Sequence, residues 1–95
     1  MNAEEALAFA ATLPNPPPFP NGTWSPWLYD ERSCMVVRYL TVDGKKRGGT
    51  RVDANPVAVI PPEWVERCYE STMDAVRKMI EDETRAQKNG ETCSL

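Results

Sequence analysis

Met35-Val36-Val37-Arg38-Tyr39-Leu40-Thr41-Val42 runs straight into Asp43-Gly44-Lys45-Lys46-Arg47-Gly48-Gly49, and then into Thr50-Arg51-Val52-Asp53-Ala54. The first run, taken from Cys34 to Val42, is rich in β-branched, aromatic and apolar residues, which suit a pleated and partly buried surface. Arg38 is its one charged residue, so both faces of this strand are expected to be partly covered. Asp-Gly is a strong hairpin signal, and the Gly48-Gly49 pair supplies positive φ where a chain returns, so residues 43–49 read as the turn. Thr50 to Ala54 alternates, with Arg51 and Asp53 on one face and Val52 on the other, and forms the returning strand. Asn55-Pro56 then breaks or bends it, and Val57 to Ile60 is read as a short continuation.

Upstream of the hairpin, Trp24 to Tyr29 is a candidate first strand, held to a sheet edge by Pro26, which has no amide proton to donate. Pro14-Asn15-Pro16-Pro17-Pro18-Phe19-Pro20 is an extended polyproline segment, either a stiff connector or a ligand for an aromatic groove. Before it, Asn2 to about Leu13 reads as a short helix, capped by Asn2 with Glu5 three residues on, and striped by Ala3, Ala6, Leu7, Ala10 and Leu13. Downstream, Pro61-Pro62 opens a long helix, since proline fits a first helical turn. Trp64, Val65, Cys68, Tyr69, Met73, Val76, Met79 and Ile80 repeat at helical spacing along it. Glu63 with Arg67, Asp74 with Lys78, and Glu81 with Arg85 are acid-first pairs four apart. Asn89-Gly90 is the expected stop.

The order implies an α+β fold: a short N-terminal helix, a two- or three-stranded antiparallel sheet, and a long C-terminal amphipathic helix packed on the sheet. The corresponding divisions are 1–13 for the helix, 14–22 for the connector, 23–88 for the core (sheet 23–60, helix 62–88) and 89–95 for a frayed tail. The strand–strand–strand–helix order after residue 22 has the coarse topology of small sheet domains that read DNA, such as those at the start of phage integrases. That is a likeness of fold alone, and fold does not fix function.

Ninety-five residues with a formal charge of −3 and no histidine narrow the chemistry. Without histidine there is no Ser-His or Cys-His pair, and the commonest neutral-pH base and zinc ligand are missing, so an enzyme is not expected. No glycine-rich phosphate loop is present, and no cofactor or metal site is expected. Glu81-Asp82-Glu83 reads as a solvated charge run. The cysteines at 34, 68 and 93 form no close pair. They read as free thiols in a reducing cytoplasm, with Cys34 and Cys68 buried and Arg67 on a different face from Cys68. The N-terminus lacks the basic start and apolar run of a signal peptide, and no stretch is long enough to span a membrane.

Charge is unevenly spread: residues 32–51 carry Arg32, Arg38, Lys45, Lys46, Arg47 and Arg51 against Asp43, whereas acids outnumber bases on either side. The expected role is a non-enzymatic protein-binding regulator or inhibitor. Small acidic proteins that phages use against host or defence complexes, including CRISPR complexes, fit this composition. The expected partner surface combines aromatic anchors at Trp24 and Trp27 with an acidic helix face at Glu63, Glu66, Glu70 and Asp74, standing where phosphates would be. One alternative is a nucleic-acid-binding module using the basic hairpin at Lys45, Lys46, Arg47 and Arg51. A further alternative is an oligomeric nucleotide or small-molecule binder using the same hairpin. The partner and the oligomeric state are not legible from these residues.

Overall fold

The structure, a computed structural model, describes residues 2–54 and 60–93, with side chains as far as Ala86. Helix α1 (Ala3–Ala10) is followed by strands β1 (Gly22–Trp24), β2 (Leu28–Asp30), β3 (Met35–Val42) and β4 (Lys45–Asp53), and by helix α2 (Pro62–Cys93). This is the expected α+β arrangement, with a sheet of four strands rather than two or three. The expected strand continuation at 57–60 and the Asn55-Pro56 break fall largely outside the described residues.

β3 is the spine of the sheet. β4 runs antiparallel along one edge of it from Met35↔Asp53 to Val42↔Lys45, while β1 and β2 share the other edge at its two ends. The expected single strand Trp24–Tyr29 is thus two short strands, split at Ser25-Pro26-Trp27. Pro26 cannot donate to a ladder, and Ser25 stitches the gap. Its N–H donates to the Tyr39 carbonyl (2.8 Å), and its hydroxyl accepts from the Tyr39 N–H (2.9 Å).

The β3–β4 turn is shorter than expected. Only Asp43 (φ 51°) and Gly44 (φ 79°) form it, both with positive φ as a two-residue primed turn requires. Lys45, Lys46, Arg47, Gly48 and Gly49 therefore belong to a strand. A register shift at Leu40/Thr41 leaves Arg47 unpaired opposite β3, as the extra residue of a β-bulge. Gly48 and Gly49 serve packing. A Cβ on Gly48 would lie 2.9 Å from Val76 Cγ2, and one on Gly49 would lie 3.1 Å from the Tyr39 ring.

Alternation along the strands then assigns the two faces. Val36, Arg38 and Leu40 of β3 and Gly48, Thr50 and Val52 of β4 face the helices. Around them lie two buried clusters. Phe19, Leu40, Val42, Met73 and Val76 pack under α2, and Ala6, Ala10, Val36 and Val52 pack under α1. Of the expected helix stripe, Val65, Tyr69, Met73 and Val76 are buried and Ile80 is half-buried, whereas Trp64 and Met79 are exposed.

α1 is capped as expected, with Glu5 N–H donating to Asn2 Oδ1 (2.8 Å). It ends earlier than expected, at Ala10, and its buried side is Ala6 and Ala10 with Phe9 and Leu13 beside them, while Leu7 is 41% exposed. The proline-rich segment is a strap across the helix side of the sheet. The Tyr69 hydroxyl donates to the Pro14 carbonyl (2.8 Å), the Trp24 indole donates to the Pro17 carbonyl (3.0 Å), and Phe19 is buried. At the other end, α2 continues through Asn89-Gly90 to Cys93 instead of stopping there. A single helical glycine costs only about 1 kcal/mol, which a long helix tolerates.

Candidate functional site

Trp24 and Trp27, the expected anchors, point inward. Both pack on the buried ring of Tyr69, with centroids at 5.4 Å and 6.2 Å. The Arg38 guanidinium lies 5.2 Å over the Trp27 ring, donates from Nε to the Ser25 carbonyl (2.7 Å), and reaches the Tyr69 hydroxyl (3.4 Å). Burial pushes the Tyr69 phenol up, and the nearby Arg38 only partly offsets this. A half-buried cation among two tryptophans and a tyrosine is a structural knot. The tryptophan left at the surface is Trp64, 43% exposed.

Glu63, Glu66, Glu70 and Asp74 are all exposed on α2, as expected. They do not make an unbroken acidic field, because Arg67, Arg77 and Lys78 are exposed on the same helix. Arg77 donates to Asp74 at 2.7 Å. Among the described residues the ion pairs within α2 are three apart rather than the expected four, since Arg85 pairs with Asp82 at 3.9 Å and Asp74 with Arg77. The four acids thus share α2 with two guanidinium groups and one ammonium group.

The basic hairpin is also divided. Arg47 bends from its bulge toward α2 and donates to Glu83 Oε1 at 2.6 Å, close to Met79 Sδ at 3.8 Å. Its side chain keeps 17% of its exposure, and its Nε is buried without a partner among the described residues. Glu83 is correspondingly held below the ordinary carboxylate range by the Arg47 hydrogen bond. Glu83 is therefore not part of a merely solvated run. Lys46 places Nζ 4.0 Å over the Tyr39 ring, on the sheet face opposite the helices, and Lys45 and Arg51 are exposed. That open face also presents Asp30 and Asp53. Asp30 is held below its ordinary value by the Ser33 hydroxyl and the Arg32 N–H.

Cys34 is exposed, against expectation. It sits at φ 54°, in the turn that closes β2 onto β3, before the strand's alternation begins. Cys68 is half-buried, and burial raises its thiol more than neighbouring Arg67 lowers it. Contrary to expectation, Arg67 and Cys68 share a surface. Together with Gly49, Thr50, Arg51, Trp64, Ser71 and Thr72 they line an open groove of about 420 Å³ between β4 and α2.

The backbone of β4 forms one wall of this groove. Thr50 and Val52 turn their N–H and C=O groups to β3, and Ala54 N–H donates to the Cys34 carbonyl (3.0 Å). By antiparallel alternation, Gly49, Arg51 and Asp53 turn theirs outward. Among the described residues no strand pairs with that edge. The Gly49 carbonyl on this edge is capped, accepting from Thr72 Oγ1 at 3.2 Å, while buried Thr50 shares a hydroxyl bond with Thr72 at 2.7 Å. Sequence reading missed this site because Gly48 and Gly49 look like turn residues. The Thr50-Arg51-Val52-Asp53 alternation marks the strand, but side-chain-free Gly48 and Gly49 cannot show that it reaches back through them to Lys45.

Among the described residues no group of three His, Cys, Asp or Glu side chains could hold a metal ion, and no helix is long and apolar enough to cross a membrane. Comparison with protein-family models, with curated proteins and with solved structures returned no match for this chain.

Proposed function

We propose that the chain is a non-enzymatic protein-binding module that takes an extended segment of its partner as an added strand along β4. The observation that carries this reading is the outer edge of β4, which no strand pairs among the described residues, lying in a groove beside α2. A strand edge supplies outward N–H and C=O groups for main-chain hydrogen bonds, and the helix wall supplies side chains for specificity. Trp64 stands exposed at the groove, the kind of amphipathic anchor that concentrates binding energy. A regulator or inhibitor built this way needs no catalytic group, which suits a chain without histidine. Action against a host or defence complex is the narrower form of the same proposal, and its support is composition alone.

The test is selection of random displayed peptides of about the length of β4 on the immobilised full chain, followed by amide chemical-shift mapping of the enriched peptides. Shifts concentrated at 49–53 and 64–72, with new protection of the Arg51 and Asp53 amides from exchange, are expected. Enriched peptides that shift a different surface, or no enrichment at all, would sink the reading.

A further inference from the structure

We infer that the β4 groove selects an acidic strand, with carboxylates on the side shared with Arg51; this rests on the strand-addition reading above. An added strand would present alternate side chains to two environments. One set would lie on the open face of the sheet, level with Arg51 and Lys46 over most of the edge and with Asp53 only at its end. The other would point under α2, toward Trp64 and Cys68, with Arg67 at the rim. Among the described residues, the charges lining the groove are Arg51 and Arg67. No ion pair ties either of them among the described residues; the three ion pairs there use Arg47, Arg77 and Arg85. The acids of α2 do not oppose this choice, because Glu63, Glu66 and Glu70 do not line the groove.

Opposite charges directly across a strand pair are favourable, and like charges are unfavourable, by about 0.2–1 kcal/mol each. Several such pairs decide which strand is accepted. The same arithmetic argues against a second copy of this chain as the occupant. β4 carries Lys45, Lys46 and Arg51, besides the Glu83-bound Arg47, against Asp53 alone, and an antiparallel second copy centred on Arg51 would set Arg51 against Arg51. The edge is guarded by positive charge in the way edge strands avoid self-pairing, and that guard is complementary to an acidic strand.

The experiment compares three synthetic peptides of about the length of β4 on the full chain, alternating valine with glutamate, with glutamine or with lysine, at about 50 mM salt and again at about 300 mM. The glutamate peptide is expected to bind at least tenfold more tightly than the lysine peptide at low salt, with the gap closing at high salt. Arg51→Glu should invert the order while the circular dichroism spectrum stays unchanged. Equal affinities for the three peptides would overturn the charge preference and leave strand addition standing. Binding by none of them would overturn both. A chain that sediments as a dimer with its Arg51 amide protected would overturn the inference in favour of a second copy.

Discussion

Gly48 shows how a single residue can set the distance between layers. Its missing Cβ lets Val76 and Thr72 of α2 approach the backbone of β4, with would-be contacts at 2.9 Å and 3.3 Å. Replacing glycine by alanine restricts the unfolded chain, which favours folding by roughly 0.4–1 kcal/mol where the native conformation allows it. Forcing a methyl into a filled core costs about 1–3 kcal/mol. The second effect wins here, because Val76 is buried and held in the same cluster as Leu40 and Met73. Gly48→Ala should therefore lower stability by a net 1 kcal/mol or so, about 4–8 °C in melting temperature for a domain of this size. An unchanged or raised melting point would mean that α2 stands further from β4. The sequence offered no way to see this, since a glycine that makes room for a helix and a glycine that makes a turn are the same letter.

At the scale of elements, the helices were the most legible part. Asn2 caps α1 because a short polar side chain before an apolar run can satisfy a free amide. Val65, Tyr69, Met73 and Val76 are buried because their spacing leaves them one face. Contacts between elements were not legible, and Arg47 is the clearest case. In the sequence it belongs to a run of three cations, whereas the bulge turns it away from Lys46 and sends it to Glu83 on α2. This link has a pH signature. Arg47 lowers the Glu83 carboxyl below its ordinary range, so the folded chain binds that proton less readily than the unfolded one. The stabilisation is present at pH values above the ordinary carboxylate range and is lost as pH falls through the depressed folded value. Melting temperatures of the native chain and of Glu83→Gln should therefore differ by a constant amount near neutral pH. They should converge between about pH 5 and pH 3. Curves that stay parallel down to that range would show that the ion pair contributes nothing in solution.

For the whole molecule, the question is which surface meets a partner. The order of elements and the two-layer packing were readable, because an amphipathic helix and an alternating hairpin leave few other arrangements. The exposure of single side chains was not readable, because it depends on where neighbouring elements land. Trp24 was drawn under the strap, both Trp24 and Trp27 were drawn against Tyr69, and Trp64 was left outside. Redistribution of charge also bears on nucleic acid. A net charge of −3 disfavours approach to a polyanion, so binding would need a locally basic face. The open sheet face does not provide one: Arg47 is engaged with Glu83, and Lys46 and Arg51 share the face with Asp30 and Asp53. Arg51 also acts on Asp30, helping to keep it ionised. A mixed pool of DNA and RNA should accordingly pass unbound over the full chain at about 50 mM salt, where phosphate contacts are strongest. Retention of the pool, lost in a folded Lys46→Glu, Arg51→Glu double variant but kept when Lys78 and Arg85 are reversed instead, would move the function to the sheet face. The peptide-binding groove would then be only the covered side of a nucleic-acid reader. Lys46 and Arg51 are the discriminating pair because, unlike Arg47, neither is tied in an ion pair among the described residues, so reversing them tests binding rather than folding.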